Sequence, residues 1–217
     1  MTHTVIASGE SRSFPDSHAL ISAAEGKGDT LLLIGEGAGT AYADLADKDA
    51  YALILIELGT ECLGVHTGES RGDEGGTVLG FARFRLGNAA PSDLVEIVRQ
   101  PNTPDAAVAA ARALFEAHGL KTAVCGDFPG RIIDRLVRPY YNAALSRLDA
   151  KLATASDMDL TLKLGLGYPE GPIELLERTG LDAHHDVTRA LYTALGDPAY
   201  SPARRAQVAK ARDNEGA

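Results

Sequence analysis

The apolar residues of this chain change their period once, near residue 126, and that change demands two kinds of layer. Up to that point, short runs rich in Val, Ile and Leu alternate with glycine turns and brief helix-like stretches. The runs cover residues 4–7, 31–34, 52–58, 78–84, 94–98 and 122–125. Runs of this length, bounded by Gly or Asp, read as strands. Helical spacing fills residues 16–25, 40–47 and 104–118. The last stretch has Thr103 placed to cap, Pro104 at the first helical position and Gly119 to stop it. Strands alternating with helices predict an α/β layer on a mostly parallel sheet. A turn at Gly59-Thr60 would make residues 57–65 a hairpin and the sheet mixed.

Beyond residue 126 the period is helical. Ile132, Ile133, Leu136, Val137, Tyr140, Tyr141, Ala144, Leu145 and Leu148 recur at spacings of one and three, with Arg131, Arg135, Arg138 and Arg147 on the other side. A stripe this wide buries against more than one neighbour, either its own bundle or a second copy of the chain. Gly171-Pro172 opens a short helix that Gly180 ends. Asp182 is placed to cap the next helix, which stops at Gly196. The polar tail, residues 203–217, is expected to fray. The expected organisation is an α/β domain over residues 1–126 and an all-α domain over residues 127–217.

Charge and cysteine usage narrow the partners. Net charge is −9, and no Lys/Arg cluster interleaves with aromatics. Nucleic acid and an anionic membrane surface are therefore excluded as expected partners. Apolar runs such as residues 53–56 fall far short of a membrane span. The opening MTHTVIASGESRS carries no basic-then-apolar signal pattern. Cys62 and Cys125 stand alone, without framework spacing. Together these predict a reduced, cytoplasmic setting.

One stretch, LLLIGEGAGTAYADLADKDAYALILIE, has the layout of a nicotinamide-cofactor loop. Gly35 and Gly37 fit the first two fingerprint glycines, which allow a tight turn and close approach of pyrophosphate. Thr40 stands at the third. Glu57 lies at the right distance to meet a ribose hydroxyl. Against this, residues 40–47 give only about two helical turns. Residues 58–77 are too few for a further βαβ unit, which needs roughly 30 residues. Two readings stand: an NAD-binding loop, or a plain βα turn with residues 53–57 on a later strand.

Two other constellations are weaker. Gly68-Glu69-Ser70-Arg71-Gly72 matches G-x-S-x-G, but a loop follows where a nucleophile elbow needs a helix. His184 and His185 lie between Asp182 and Asp186. Adjacent helical residues point about 100° apart, so no metal site is expected there.

The segment DFPGRIIDRLVRPYYNAALSRLDAKLATASDMDLTLKLGLGYPEGPIELLERTGLD resembles the helical C-terminal domain of 3-hydroxyacyl-CoA dehydrogenases. The match runs through Pro129-Gly130, Arg135, Pro139-Tyr140, Asp159, Lys163, Gly165, Gly167, Pro169, Gly171-Pro172, Glu174 and Leu175. Upstream, DLVEIVRQPNTPDAAVAAARALFEAHGLKTAVCGDFPG is similar to the last strand–helix–strand unit of that family's cofactor domain. The resemblance implies a truncated Rossmann-like α/β domain, a C-terminal helical dimerisation domain, an acyl-CoA-type ligand, a homodimer through the C-terminal helices, and NAD as cofactor.

It also implies a catalytic histidine held by a glutamate. Glu96 of Leu94-Val95-Glu96 matches the glutamate. The histidine's slot is Ala82 or Phe84, depending on the anchor, and no His occurs between His66 and His118. Asp134 stands where the family has a helix asparagine near the substrate thioester. His66, within the loose echo Val65-His66-Thr67, is the one candidate to replace the base. Two functions follow. One is NAD-dependent oxidation of a 3-hydroxyacyl-CoA to the 3-oxoacyl-CoA, with Glu96 and His66 handling the proton and Asp134 meeting the substrate. The other is a catalytically degenerate acyl-CoA-binding or dimeric assembly module.

Overall fold

The computed structural model describes residues 2–216. Six strands form one sheet: β1 (His3–Ala7), β2 (Thr30–Ile34), β3 (Leu53–Glu57), β4 (Val78–Arg83), β5 (Leu94–Arg99) and β6 (Lys121–Gly126). They lie side by side in sequence order. Every neighbouring pair is parallel except β4 and β5. The mixed pairing thus arises there, not at Gly59, where the chain instead enters the short helix α3 (Gly64–Thr67). The other helices of this layer are α1 (Ala19–Ser22), α2 (Ala38–Ala43) and α4 (Asp105–Ala117).

Both faces of the sheet are covered, which is why its strands read as unbroken apolar runs. One face carries Leu32, Leu55, Leu79, Phe81 and Ile97 against Leu20 of α1 and Ala111, Leu114 and Phe115 of α4. The other carries Leu31, Leu33, Ile54 and Ile56 against Ala38 of α2 and Leu63 just before α3. The steps from β1 to β2 and from β2 to β3 go the same way across the sheet, yet α1 and α2 cover opposite faces. The first crossover therefore has the opposite hand to the second. The usual right-handed preference depends on a helix packing back onto the sheet, and α1 is only 4 residues long.

The chain divides into two compact units. The first runs through Arg85 and resumes at Pro91–Ile132; the second takes Leu86–Ala90 and the chain from Ile133 onward. The class expected from the sequence, an α/β layer with a mostly parallel sheet followed by an all-α part, is the observed one.

The helical unit contains α5 (Ile132–Asp149), α6 (Ala155–Leu166), α7 (Pro172–Thr179), α8 (Leu181–Leu195) and α9 (Arg204–Gly216). Three features differ from expectation. Pro104, not Thr103, is the residue before α4; the Thr103 hydroxyl accepts from the Gln100 amide instead. Gly180 precedes α8 with no side-chain cap, leaving Asp182 inside its first turn. The polar tail forms α9, because Arg204 and Arg205 pair with Asp149 and Lys210 pairs with Asp186.

The family-like motif of residues 159–175 is a helix joint. Gly171 has no side chain with which to cap α7. Asp159 reaches in from α6 and accepts from the amides of Ile173 and Glu174 at 2.9 and 3.0 Å. A Cβ on Gly171 would collide with the Asp159 side chain. Glu174 folds back onto the Gly171 amide at 2.8 Å and pairs with Lys163 at 3.1 Å. Pro172 at the start of α7 loses no hydrogen bond there.

Candidate functional site

In an open α/β sheet, ligands bind outside the carboxyl ends of the strands. At the ends of β2 and β3 lies a cleft of about 270 Å³ whose lining includes Glu10, Arg12, Gly35, Glu36, Glu57 and His66. Three of the residues singled out from the sequence, Gly35, Glu57 and His66, thus share one cleft.

Glu57, the last residue of β3, is buried. A buried carboxylate is tolerated only with donors around it. Its Oε1 accepts from the Ser13 amide at 2.7 Å. Its Oε2 accepts from the Ser11 hydroxyl at 2.7 Å and the Gly35 amide at 2.6 Å. Glu57 therefore ties the loop after β1 to the turn after β2.

That loop lies directly on the glycine turn. The Glu36 amide donates to Glu10 O at 3.1 Å and the Gly37 amide to Ser8 O at 2.8 Å. Gly35 has φ +94°, and a Cβ there would meet the Ser8 carbonyl; a Cβ at Gly37 would meet the Ser8 hydroxyl. The third close contact falls at Gly39, not Thr40. A Cβ on Gly39 would strike the His66 ring, whereas Thr40 is exposed. Sequence reasoning missed this role for Gly39; the signal was the strict G-x-G-x-G spacing.

His66 sits on α3 with its ring against the first turn of α2. Its Nε2 is buried, lies 3.5 Å from Glu61 Oε1, and makes no hydrogen bond. The carboxylate it reaches is thus Glu61. Asp127 holds α3 in place by accepting from the Leu63 and Gly64 amides at 2.6 and 2.8 Å. Arg131 is buried and donates to the carbonyls of Gly59, Glu61 and Phe128. Neither Asp127 nor Arg131 was singled out from the sequence. Ser70 lies in a loop between α3 and β4, with its amide and that of Gly72 donating to Glu74 at 3.0 and 2.9 Å.

Glu96 is buried in β5, and the strand register sets it between Ala82 of β4 and Ala123 of β6. Of the two histidine slots, Ala82 is the one beside it. Strand β4 carries no imidazole.

In the helical unit, Asp134 on α5 accepts from Arg138 Nε at 2.7 Å. Arg138, which the pattern placed on the polar side, is almost fully buried at 1% exposure. Its Nη1 lies 3.1 Å from His184 Nδ1, and His184 Nε2 lies 3.0 Å from Asn142 Oδ1. Asn142 Nδ2 donates to Ala199 O at 3.1 Å. Burial first, then the charges of Arg138 and His185, push the His184 imidazole down to about 3. His185 pairs with Asp186 at 3.0 Å. Among the described residues, no group of three or more His, Cys, Asp or Glu could hold a metal ion, and no helix is long and apolar enough to cross a membrane.

Comparison with known proteins places this geometry in context. Residues 130–215 match the family of the 3-hydroxyacyl-CoA dehydrogenase C-terminal domain. A 3-hydroxybutyryl-CoA dehydrogenase from Bradyrhizobium diazoefficiens is 34% identical over 123 residues, covering 56% of this chain and 42% of that protein. The mitochondrial hydroxyacyl-coenzyme A dehydrogenase of Homo sapiens is 37% identical over 103 residues, covering 47% and 33%. The chain thus spans less than half the length of these relatives. A crystal structure of (S)-3-hydroxybutyryl-CoA dehydrogenase from Ralstonia eutropha superposes with a TM-score of 0.69 at 26% identity, covering 85% of this chain and 66% of that one.

Proposed function

We propose that this chain, whose residues 130–215 match the 3-hydroxyacyl-CoA dehydrogenase C-terminal domain, is a dimeric acyl-CoA-binding module without hydride-transfer activity. The observation that carries this is the pairing of Glu96 with Ala82. Taking hydride from a carbinol requires a base for the hydroxyl proton. The residues in register with Glu96 on the neighbouring strands are Ala82 and Ala123, so neither supplies the expected imidazole. His66, the candidate substitute, is packed on Gly39 and turned toward Glu61. Loss of a positioned base typically lowers rate by roughly 10² to 10⁴.

The ligand class is supported by the names of the relatives, which specify 3-hydroxybutyryl-CoA and hydroxyacyl-coenzyme A. A second copy of the chain is the assigned partner. Leu160 and Leu164 on α6 are 49% and 79% exposed, with Leu152 and Tyr168 exposed as well. Exposed apolar surface of this kind marks an interface. Cys62 and Cys125 are free thiols, which suits a reducing, cytoplasmic setting.

The alternative is NAD-dependent oxidation of a 3-hydroxyacyl-CoA, with Glu96 and His66 sharing the proton transfer. One experiment separates the two. The purified chain is mixed with acetoacetyl-CoA and NADH and the NADH absorbance is followed, while calorimetry measures acetoacetyl-CoA binding alone. The module reading expects binding without NADH consumption. Turnover above buffer that disappears in His66→Ala would establish the enzyme instead.

A further inference from the structure

The geometry points to a self-filled glycine turn: the loop Ser8–Ser13 occupies the place that a dinucleotide's pyrophosphate would take over Gly35 and Gly37, and this turn holds no NAD. The inference goes beyond the missing base, because it concerns binding and not proton transfer.

Pyrophosphate binds a glycine turn for two reasons. The missing side chains let its oxygens come close, and the backbone amides there are free to donate. Both conditions are already consumed here. The space over Gly35 holds the Ser8 carbonyl, that over Gly37 the Ser8 hydroxyl, and that over Gly39 the His66 ring. The amides of Gly35, Glu36, Gly37 and Ala38 donate to Glu57, Glu10 O, Ser8 O and Gly35 O.

Charge and topology agree with that. The cleft lining contains four carboxylates, from Glu10, Glu36, Glu57 and Glu61, and one guanidinium, from Arg12. A pyrophosphate would be repelled there. A dinucleotide sits where a doubly wound sheet reverses its strand order, as in 3-2-1-4-5-6. This sheet runs β1 to β6 without a reversal. Glu57, which would receive a ribose hydroxyl, already accepts from Ser11, Ser13 and Gly35. It works as the anchor of the loop.

The chain has no tryptophan, so the test uses thermal unfolding and calorimetry. The full chain, Gly37→Ala and Glu57→Gln are each measured with NADH and with NAD+ up to about 1 mM, the weak end of specific binding. Both variants are expected to melt several degrees below the parent, because one collides with Ser8 and the other loses hydrogen bonds to the loop. Neither nucleotide is expected to shift the melting of any of the three, and calorimetry is expected to show no saturable heat. A nucleotide-dependent rise in Tm in the parent that is lost in Gly37→Ala or Glu57→Gln would overturn the inference. A rise equal in all three proteins would place the nucleotide away from this turn and leave the inference standing. NADH binding at the turn without turnover would sink this inference but not the module reading; absence of acyl-CoA binding would do the reverse.

Discussion

Arg138 Nη1 lies 3.1 Å from His184 Nδ1, and a guanidinium can only donate. The imidazole is therefore neutral, with its proton on Nε2 directed to Asn142 Oδ1. Asn142 then donates its amide to Ala199 O. Arg138 thus donates to both Asp134 and His184, His184 to Asn142 and Asn142 to Ala199 O, and Arg138, His184 and Asn142 are all buried in the helical unit.

This network makes the helical unit sensitive to acid. His184 titrates at about 3 in the fold against an ordinary value of 6.5. Between those values the unfolded chain binds a proton that the folded chain refuses, so stability falls as pH falls through the window. The stabilisation is whole above about pH 6.5, and it drops by about 1.4 kcal/mol for each pH unit below that, before other groups contribute. Urea unfolding at pH 7 and pH 5 measures it. His184→Gln, which cannot titrate, is expected to show a smaller difference between the two pH values than the parent. Equal differences would remove His184 as the cause.

Asp134 stands where the family resemblance has an asparagine, and its carboxylate is committed to Arg138. Restoring the amide through Asp134→Asn takes a charge from a mostly buried pair. Breaking such a pair costs about 3 kcal/mol or more. The expected result is a destabilised chain that still fails to consume NADH with acetoacetyl-CoA. A variant as stable as the parent would show that Arg138 does not depend on this carboxylate.

Asp159 caps α7 from another helix, so its removal tests the meaning of the family-like motif. Asp159→Ala leaves the Ile173 and Glu174 amides without their acceptor and is expected to cost about 1–2 kcal/mol, the range for a lost N-cap. Asp159→Asn keeps one acceptor and is expected to cost less. Matching denaturant midpoints for parent and Asp159→Ala would assign the motif a role other than folding.

The strands were legible as unbroken apolar runs, and most of the helical stripe by its period, although Leu136 in that stripe is exposed. Leu31–Ile34 and Leu53–Ile56 are apolar at every position, since both faces of the sheet are covered. The buried row on α5 was not legible. Asp134, Arg138 and Asn142 recur at the spacing of a solvated face, and only the partner, His184, distant in sequence, reveals that the face is inside. The glycine turn stayed ambiguous for a similar reason. Gly35 and Gly37 look the same whether a phosphate or Ser8 lies over them, and nothing local states which strand the turn follows. The topology does: Gly35 follows the second strand of a sheet ordered by sequence. The missing imidazole could be read from the order of residues, since no His falls between His66 and His118, but the choice of Ala82 over Phe84 as the residue beside Glu96 needed the strand register.

The exposed leucines of α6 yield the last prediction. Leu160 and Leu164 are one helical turn apart and so lie on the same side of the helix, and Leu164 is among the most exposed large apolar residues of the chain. Sedimentation or gel filtration is expected to give a dimer for the parent. Leu164→Glu places a charge in that interface. It loses the burial of a leucine, about 1.5–3 kcal/mol per copy, and adds the desolvation of a carboxylate. The dimer is therefore expected to weaken by at least tenfold, because 1.4 kcal/mol already corresponds to that factor. The fold itself should hold, because Leu164 makes no part of the buried core. Circular dichroism matching the parent, with a monomer at micromolar concentration, is the expected pair of results. A Leu164→Glu chain that remains dimeric would move the interface off α6.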